Sequence, residues 1–174
     1  MIGLKQHTIK LVSHNKNWAQ EFQMEKKRLE KILGGKAIEI EHIGSTAIPN
    51  ISAKPVIDVM VGVETLKKEG IICVKLLEEY SLRYKKRTKI RYLVVKGDDS
   101  KRTHNIHIVR LTGRRWYKLL AFRNYLRSHP RVTTDYNTLK KKLEKSYGSK
   151  TKLYTEKKLD FVKNILKKVR GNKD

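Results

Sequence analysis

Cysteine is almost missing from this chain: Cys73 is the only one. That excludes an intramolecular disulfide and, with no CxxC pair, a cysteine-based zinc site. Its neighbours Ile71, Ile72 and Val74 mark it as a buried structural thiol, which fits a reducing, cytoplasmic setting. No run of about 18 apolar residues occurs, so no membrane-spanning helix is expected. Residues 1–10 lack the apolar segment of a secretion signal. No Walker A, GxGxxG or HExxH motif is present. Acid is scarce too. Only 17 Asp and Glu oppose 41 Lys and Arg, giving a net charge of +24 and a pI near 10.2. A field of that sign attracts nucleotides, nucleic acid or an anionic membrane surface. The plainer reading is lysine-rich background composition, since aromatics make up only 7% of the chain.

What is present is enough for one domain, 1–174, with a helical tail from about residue 114. Trp18, Phe22, Leu29, Ile32 and Leu33 recur at helical spacing and predict a helix over 17–33, stopped by Gly34-Gly35. Residues 8–12 read as a short extended segment. Ala37, Ile38, Ile40 and Ile43 predict a strand. The run from Pro55 to Val63 is the most apolar in the chain, and its β-branched content predicts a central strand. A helix is expected over 65–80, with Gly70 as a weak point. Strands are expected at 82–84, 90–95 and 105–111, with a turn at 96–100. Helices follow at about 114–128, 131–147 and 151–169. Strands early and helices late predict an α+β or mixed α/β fold, with a mixed sheet of about five strands flanked by helices.

Chemistry concentrates where the first strand ends in Gly44-Ser45 and the second delivers Asp58. Glycine lets backbone approach a ligand. Backbone N–H groups following it can cradle phosphate oxygens. The Ser45 and Thr46 hydroxyls add donors, and Asp58 can hold Mg²⁺ bridging phosphates. The plainer reading is a capping serine, with Asp58 paired to Lys54 or an arginine.

The string His42-Ile43-Gly44-Ser45-Thr46-Ala47-Ile48-Pro49, continuing to Val63, closely resembles the signature segment of the GrpB (UPF0157) family. Residues Arg102 to Val109 resemble its RTHNLHV stretch, and Phe122 to Arg127 its FRDYLR stretch. Tyr136, Leu139-Lys140 and Tyr154-x-x-Lys157 resemble its C-terminal marks. The resemblance implies a nucleotidyltransferase-like fold and membership of that superfamily. Family members fused behind dephospho-CoA kinase hint at adenine-nucleotide or coenzyme A metabolism. Enzymes of the superfamily hold NTP·Mg²⁺ with a Gly-Ser turn and two or three strand-borne carboxylates, where two metals clamp the reacting oxygens.

This sequence departs from that set. Val56 stands two residues before Asp58 on the same strand face, and Asn105 and His107 occupy the face where a third acid would sit. A lone Asp with His and Asn suits hydrogen bonding to a phosphate or base, or a nitrogen-favouring metal such as zinc. Glu39 and Glu41 are the other carboxylates within reach of the motif.

The candidate catalytic residues are Asp58, also the metal ligand, and His107, a general base or donor. The candidate ligand- and phosphate-binding residues are His42, Gly44, Ser45, Thr46, Lys54, Arg102, Asn105, Arg123, Lys140, Tyr154 and Lys157. For Arg123, among apolar neighbours, a carboxylate or phosphate partner is expected. Arg83, Lys85, Lys86, Arg87 and Arg91 form a basic run that, with Tyr84 and Tyr92, is a candidate nucleic-acid surface. A solvated hairpin face is the plainer reading. Two functional readings follow. One is a metal-dependent nucleotidyltransferase acting at the Gly-Ser turn and Asp58. The other is a non-catalytic module binding a phosphorylated ligand or RNA.

Overall fold

A computed structural model describes residues 2–171; Met1 and residues 172–174 of the expected 1–174 unit lie outside it. The chain runs α1 (Asn17–Leu33), β1 (Glu39–Ile43), β2 (Ile57–Val63), α2 (Glu69–Glu79), β3 (Arg83–Thr88), β4 (Arg91–Gly97), β5 (Arg102–Arg110), α3 (Arg114–Ser128), α4 (Pro130–Tyr147) and α5 (Thr151–Gly171). The strands form one mixed sheet in the order β1-β2-β5-β4-β3. Only the central β2–β5 pair is parallel. Strand β2 is the most apolar of the five and is buried along nearly its whole length, as a central position requires.

Strand alternation divides the sheet into two chemically different faces. Ile57, Val59, Val61, Ile106 and Ile108 point to one side and pack with Trp18, Phe22 and Leu29 of α1 and Cys73 and Leu77 of α2. This is the main core. At 25 cal/mol per Å², each such fully buried side chain contributes roughly 2 kcal/mol before its ordering entropy. Met60 and Val109 point to the other side and meet Trp116 of α3. Gly62 lies under the same tryptophan, where a methyl group would sit 2.9 Å from the indole ring. Helix α3 covers only this end of the second face. At the far end, Asp58 and Asn105, direct partners across the parallel ladder, remain uncovered by it.

Helix α1 matches its predicted bounds, and Gly34 ends it with φ 51°, a conformation open to glycine without a Cβ penalty. Helix α2 starts later than expected. The Glu69 carboxylate accepts from the Thr65 N–H at 3.1 Å and its hydroxyl at 2.8 Å, while the Thr65 hydroxyl accepts the Lys68 N–H at 3.3 Å. Thr65 therefore belongs to the entry turn, a relative of the capping box. Gly70 lies in the first turn of α2, packed against Tyr92, and splits nothing. Strand β3 is longer than its apolar signal because it is an exposed edge. The segment at 8–12 forms no strand; a single bridge joins Val12 to Ala53. No described helix is long and apolar enough to cross a membrane.

Candidate phosphate-binding site

Gly44 and Asp58 set the centre of the site. Ile43 pairs with Asp58 across the antiparallel β1–β2 ladder, so the chain leaving β1 turns directly over the carboxylate. Gly44 has φ 74°, and a methyl group there would lie 2.4 Å from Asp58 Oδ2. Backbone conformation and close approach therefore both require glycine. The next residues, Ser45–Ala47, form one 3-10 turn. Two arginines one helical turn apart on α3 hold this corner. Arg123 donates to the His42 carbonyl at 2.7 Å, and Arg127 to the Ala47 carbonyl at 2.9 Å.

Asp58 Oδ1 accepts from Asn105 Nδ2 at 2.7 Å and, more weakly, from His107 Nε2 at 3.4 Å. Burial pushes the Asp58 carboxyl up, but these two bonds and the Lys54 charge outweigh it and hold it below the ordinary carboxylate range. The side chain is still 30% accessible. Arg91 donates to His107 Nδ1 at 2.8 Å. An arginine cannot accept, so Nδ1 is the acceptor and Nε2 carries the proton. Burial, with Arg91 beside it, lowers the His107 pKa against the opposing pull of Asp58.

A cavity of about 180 Å³ opens at Asp58, lined by Ser45, Thr46, Lys54, Arg102, Asn105, Lys140, Tyr154 and Lys158, with Leu11 and Val56. Two ammonium groups approach the Tyr154 ring, Lys158 at 4.5 Å and Lys54 at 5.6 Å from its centroid. Burial lowers the Lys158 pKa to about 8 and, with Lys158 and Lys141 nearby, the Lys140 pKa to about 7. Lys140 is fully enclosed and donates to the Ser52 carbonyl, while Asn137 accepts the Ser52 N–H at 2.9 Å. Helix α4 thus clamps the loop that carries Lys54. Two polar atoms of residues lining this cavity are buried without a partner, Arg102 Nε and Asn105 Oδ1. Such groups are costly unless something binds them.

Most of the site residues expected from sequence converge here: Gly44, Ser45, Thr46, Lys54, Asp58, Arg102, Asn105, His107, Lys140 and Tyr154. Three expectations are corrected. Arg123 does not face the cavity; it is buried in an ion pair with Glu41 and braces β1. Lys157 is exposed, and Lys158, one position on and about 100° around the helix, faces the cavity instead. His42 lies on the opposite sheet face, stacked on Phe22 at 4.7 Å with Nε2 3.0 Å from the Thr46 hydroxyl. Burial drops its pKa to about 4, so it supports the turn as a neutral ring. His107, expected as a general base or donor, has its acceptor nitrogen bonded to Arg91 and turns Nε2 toward Asp58. In the basic run, Arg83 and Lys85 are tied to Asp99 at 3.1 and 3.2 Å, and Arg91 serves His107. Lys86 and Arg87 remain exposed on the edge strand.

The carboxylate set does not grow. Glu41 pairs with Met60 in the ladder and binds Arg123, and Glu39 pairs with Gly62, further along β2 from Asp58. Among the described residues no group of three His, Cys, Asp or Glu could hold a metal. Asp58, Asn105 Oδ1 and Ser45 are oxygen donors that fit one Mg²⁺ completed by ligand phosphates and water. They do not fit a pair of metals.

The sequence profile of the GrpB protein family matches residues 8–168. The chain belongs to the GrpB family. Glutamate-rich protein GrpB of Alkalihalophilus pseudofirmus is 37% identical over 171 residues, covering 95% of this chain and 98% of that one. UPF0157 protein YqkA of Bacillus subtilis is 32% identical, and the match spans 89% of this chain but only 45% of YqkA. The crystal structure of conserved protein GrpB from Enterococcus faecalis superposes with a TM-score of 0.80 at 34% identity, covering 92% of this chain and 96% of that one. The Cid1 poly(U) polymerase with MgGTP bound superposes at 0.52 with 14% identity, covering 76% of this chain and 44% of that one. The fold of this GrpB-family chain is therefore nucleotidyltransferase-like, as the sequence motifs implied.

Proposed function

We propose that this protein binds a nucleotide or another phosphorylated small molecule, with the phosphates in the cavity beside Asp58. The observation that carries the reading is the convergence of Lys54, Arg102, Lys158 and the Gly44–Ser45 turn on one small cavity, with Arg102 Nε buried and unpaired. Phosphate oxygens would complete that donor set through charge-assisted bonds. Asp58 contributes one oxygen-rich corner, which suits a single magnesium ion bridging phosphates. When bound, the ion would neutralise phosphate charge. This chain's residues would grip and orient the phosphates while Asn105 and His107 hold Asp58 in place. The lone, buried Cys73 thiol, with its pKa raised to about 11 by burial, supports a cytoplasmic setting.

A second reading, a nucleotidyltransferase using this site, is favoured by the fold and by the accessible Asp58 carboxylate. It requires transfer with one carboxylate.

Thermal unfolding with nucleoside triphosphates, coenzyme A precursors and pyrophosphate, each with and without Mg²⁺, tests the proposal. A specific ligand raises the midpoint by mass action. The expected result is a shift that shrinks in Lys54→Ala and Arg102→Ala, with its Mg²⁺-dependent part lost in Asp58→Ala. A shift identical in all four proteins would refute the assignment. Product formation from a triphosphate, abolished in Asp58→Ala, would select the second reading.

A further inference from the structure

Beside the phosphate cavity lies a much larger cleft, about 1640 Å³, which shares Ser45, Asp58 and Lys158 with it. Its size exceeds the roughly 300–1,000 Å³ typical of a site for one small molecule. The lining is mixed. Leu111, Leu119, Phe122, Leu159, Val162 and Leu166 supply apolar surface. Lys89, Arg110, Arg114, Arg115, Lys118 and Lys163 supply positive charge. Only Asp58 and Glu64 are acidic among the residues that line it. Of those six cations, only Lys163 is ion-paired among the described residues, with Asp160 at 3.3 Å on the surface. Arg115 Nε is buried without a partner. Positive charge is also crowded here: after desolvation, Arg114 lowers Lys118, and Arg91, outside the lining, lowers Arg115. A surface that gathers uncompensated charge along an apolar trough is complementary to a flexible chain carrying regular negative charge and flat apolar faces.

We propose that this cleft binds single-stranded nucleic acid, its backbone on the cationic groups, its bases against the apolar ones and one end directed at Asp58. Only the last clause rests on the phosphate-cavity reading. A duplex hides its base faces in the stack, so the apolar lining favours a single strand. Charge complementarity favours nucleic acid over an acidic peptide, because bases occupy the apolar surface that carboxylates would avoid. This surface differs from the β3 edge singled out by sequence, where Arg83 and Lys85 share an ion pair with Asp99.

The test is fluorescence anisotropy with a labelled mixed-sequence 12-mer RNA, the same sequence as DNA, its duplex, and polyglutamate, across a salt series. Two charge-matched double variants are compared, Arg114→Ala/Lys118→Ala in the cleft and Lys86→Ala/Arg87→Ala on the edge. Both sit on accessible helix or strand surface, and unfolding midpoints check that both fold. The cleft pair is expected to weaken single-strand binding about tenfold or more and to flatten the log–log salt slope by about 1.4, at 0.7 per lost phosphate contact. The edge pair is expected to change it less than about twofold. A preference for RNA over DNA, or the reverse, names the sugar and supports the cleft either way. Equal losses in the two variants, or binding of duplex or polyglutamate as tight as the single strand, would overturn the proposal. Lys54→Ala separates the two readings. Oligonucleotide binding in the cleft without any small-ligand shift would sink the phosphate cavity and leave the cleft standing, and the opposite pair of results would do the reverse.

Discussion

Arg91 donates to His107 Nδ1 at 2.8 Å, and this contact decides what His107 can do for Asp58. With Nδ1 occupied, the proton sits on Nε2 and points at the carboxylate. A nitrogen-15 correlation spectrum at pH 7 is expected to show His107 as a neutral Nε2–H tautomer. In Arg91→Met the tautomers are expected to mix. His107→Ala is expected to weaken phosphate-ligand affinity about tenfold, by loosening Asp58 through loss of a hydrogen bond to a charged group.

Gly44→Ala combines a positive φ with a methyl group 2.4 Å from Asp58 Oδ2. It is expected to lower stability by about 1–3 kcal/mol in a urea titration. Adding Asp58→Ala removes the carboxylate contact but leaves the φ strain and the residue-58 Cβ at 3.0 Å, so the double variant is expected to recover about 1 kcal/mol of coupling. Strict additivity would mean the two residues are not in contact.

Glu41 separates structural from ligand-binding charge. Glu41→Gln leaves Arg123, which is buried, without its counter-charge. Because Glu41 itself is 32% accessible, the loss is expected to be roughly 1–3 kcal/mol, below the full value for a buried pair. Ligand affinity is expected to stay within about twofold, since the pair braces β1 and does not line the cavity.

Periodicity made α1, α4 and α5 legible to within two residues, because each carries an apolar stripe, whereas α2 starts four residues later than expected. The strand ends were less so. Strand β3 carries Arg83 to Thr88, an exposed edge with no apolar alternation, and β5 begins with the polar pair Arg102-Thr103, of which Arg102 is laddered to Gly97. The Gly-Ser turn and Asp58 were readable from motif and register. Lys158 was not, since a one-residue step on a helix turns the side chain about 100° and only the packing of α5 fixes which lysine faces inward. Arg123 misled because its partner, Glu41, lies 82 positions away on β1. A local sequence shows that an arginine needs an anion, but not whether the anion is protein or ligand.

The buried lysines set the pH dependence. Burial lowers Lys158 to about 8 and Lys140 to about 7, from 10.5. The unfolded chain keeps these protons at higher pH than the native protein does, so the free protein is expected to gain stability as pH rises from 7 to 9. Phosphate binding has the opposite sign. It prefers the protonated ammonium, so affinity is expected to fall as pH rises through about 8, with proton uptake on binding. Calorimetry in two buffers of different ionisation enthalpy checks the uptake. Proton release, or affinity rising with pH, would show that Lys158 does not touch the anion.

The most direct test of the phosphate site is a crystal grown with a non-hydrolysable nucleoside triphosphate and Mn²⁺, measured at the manganese edge. The account predicts phosphate density touching Lys54, Arg102 and Lys158, with one anomalous peak at Asp58. Phosphates bound elsewhere on the surface, or two metals at Asp58, would contradict it.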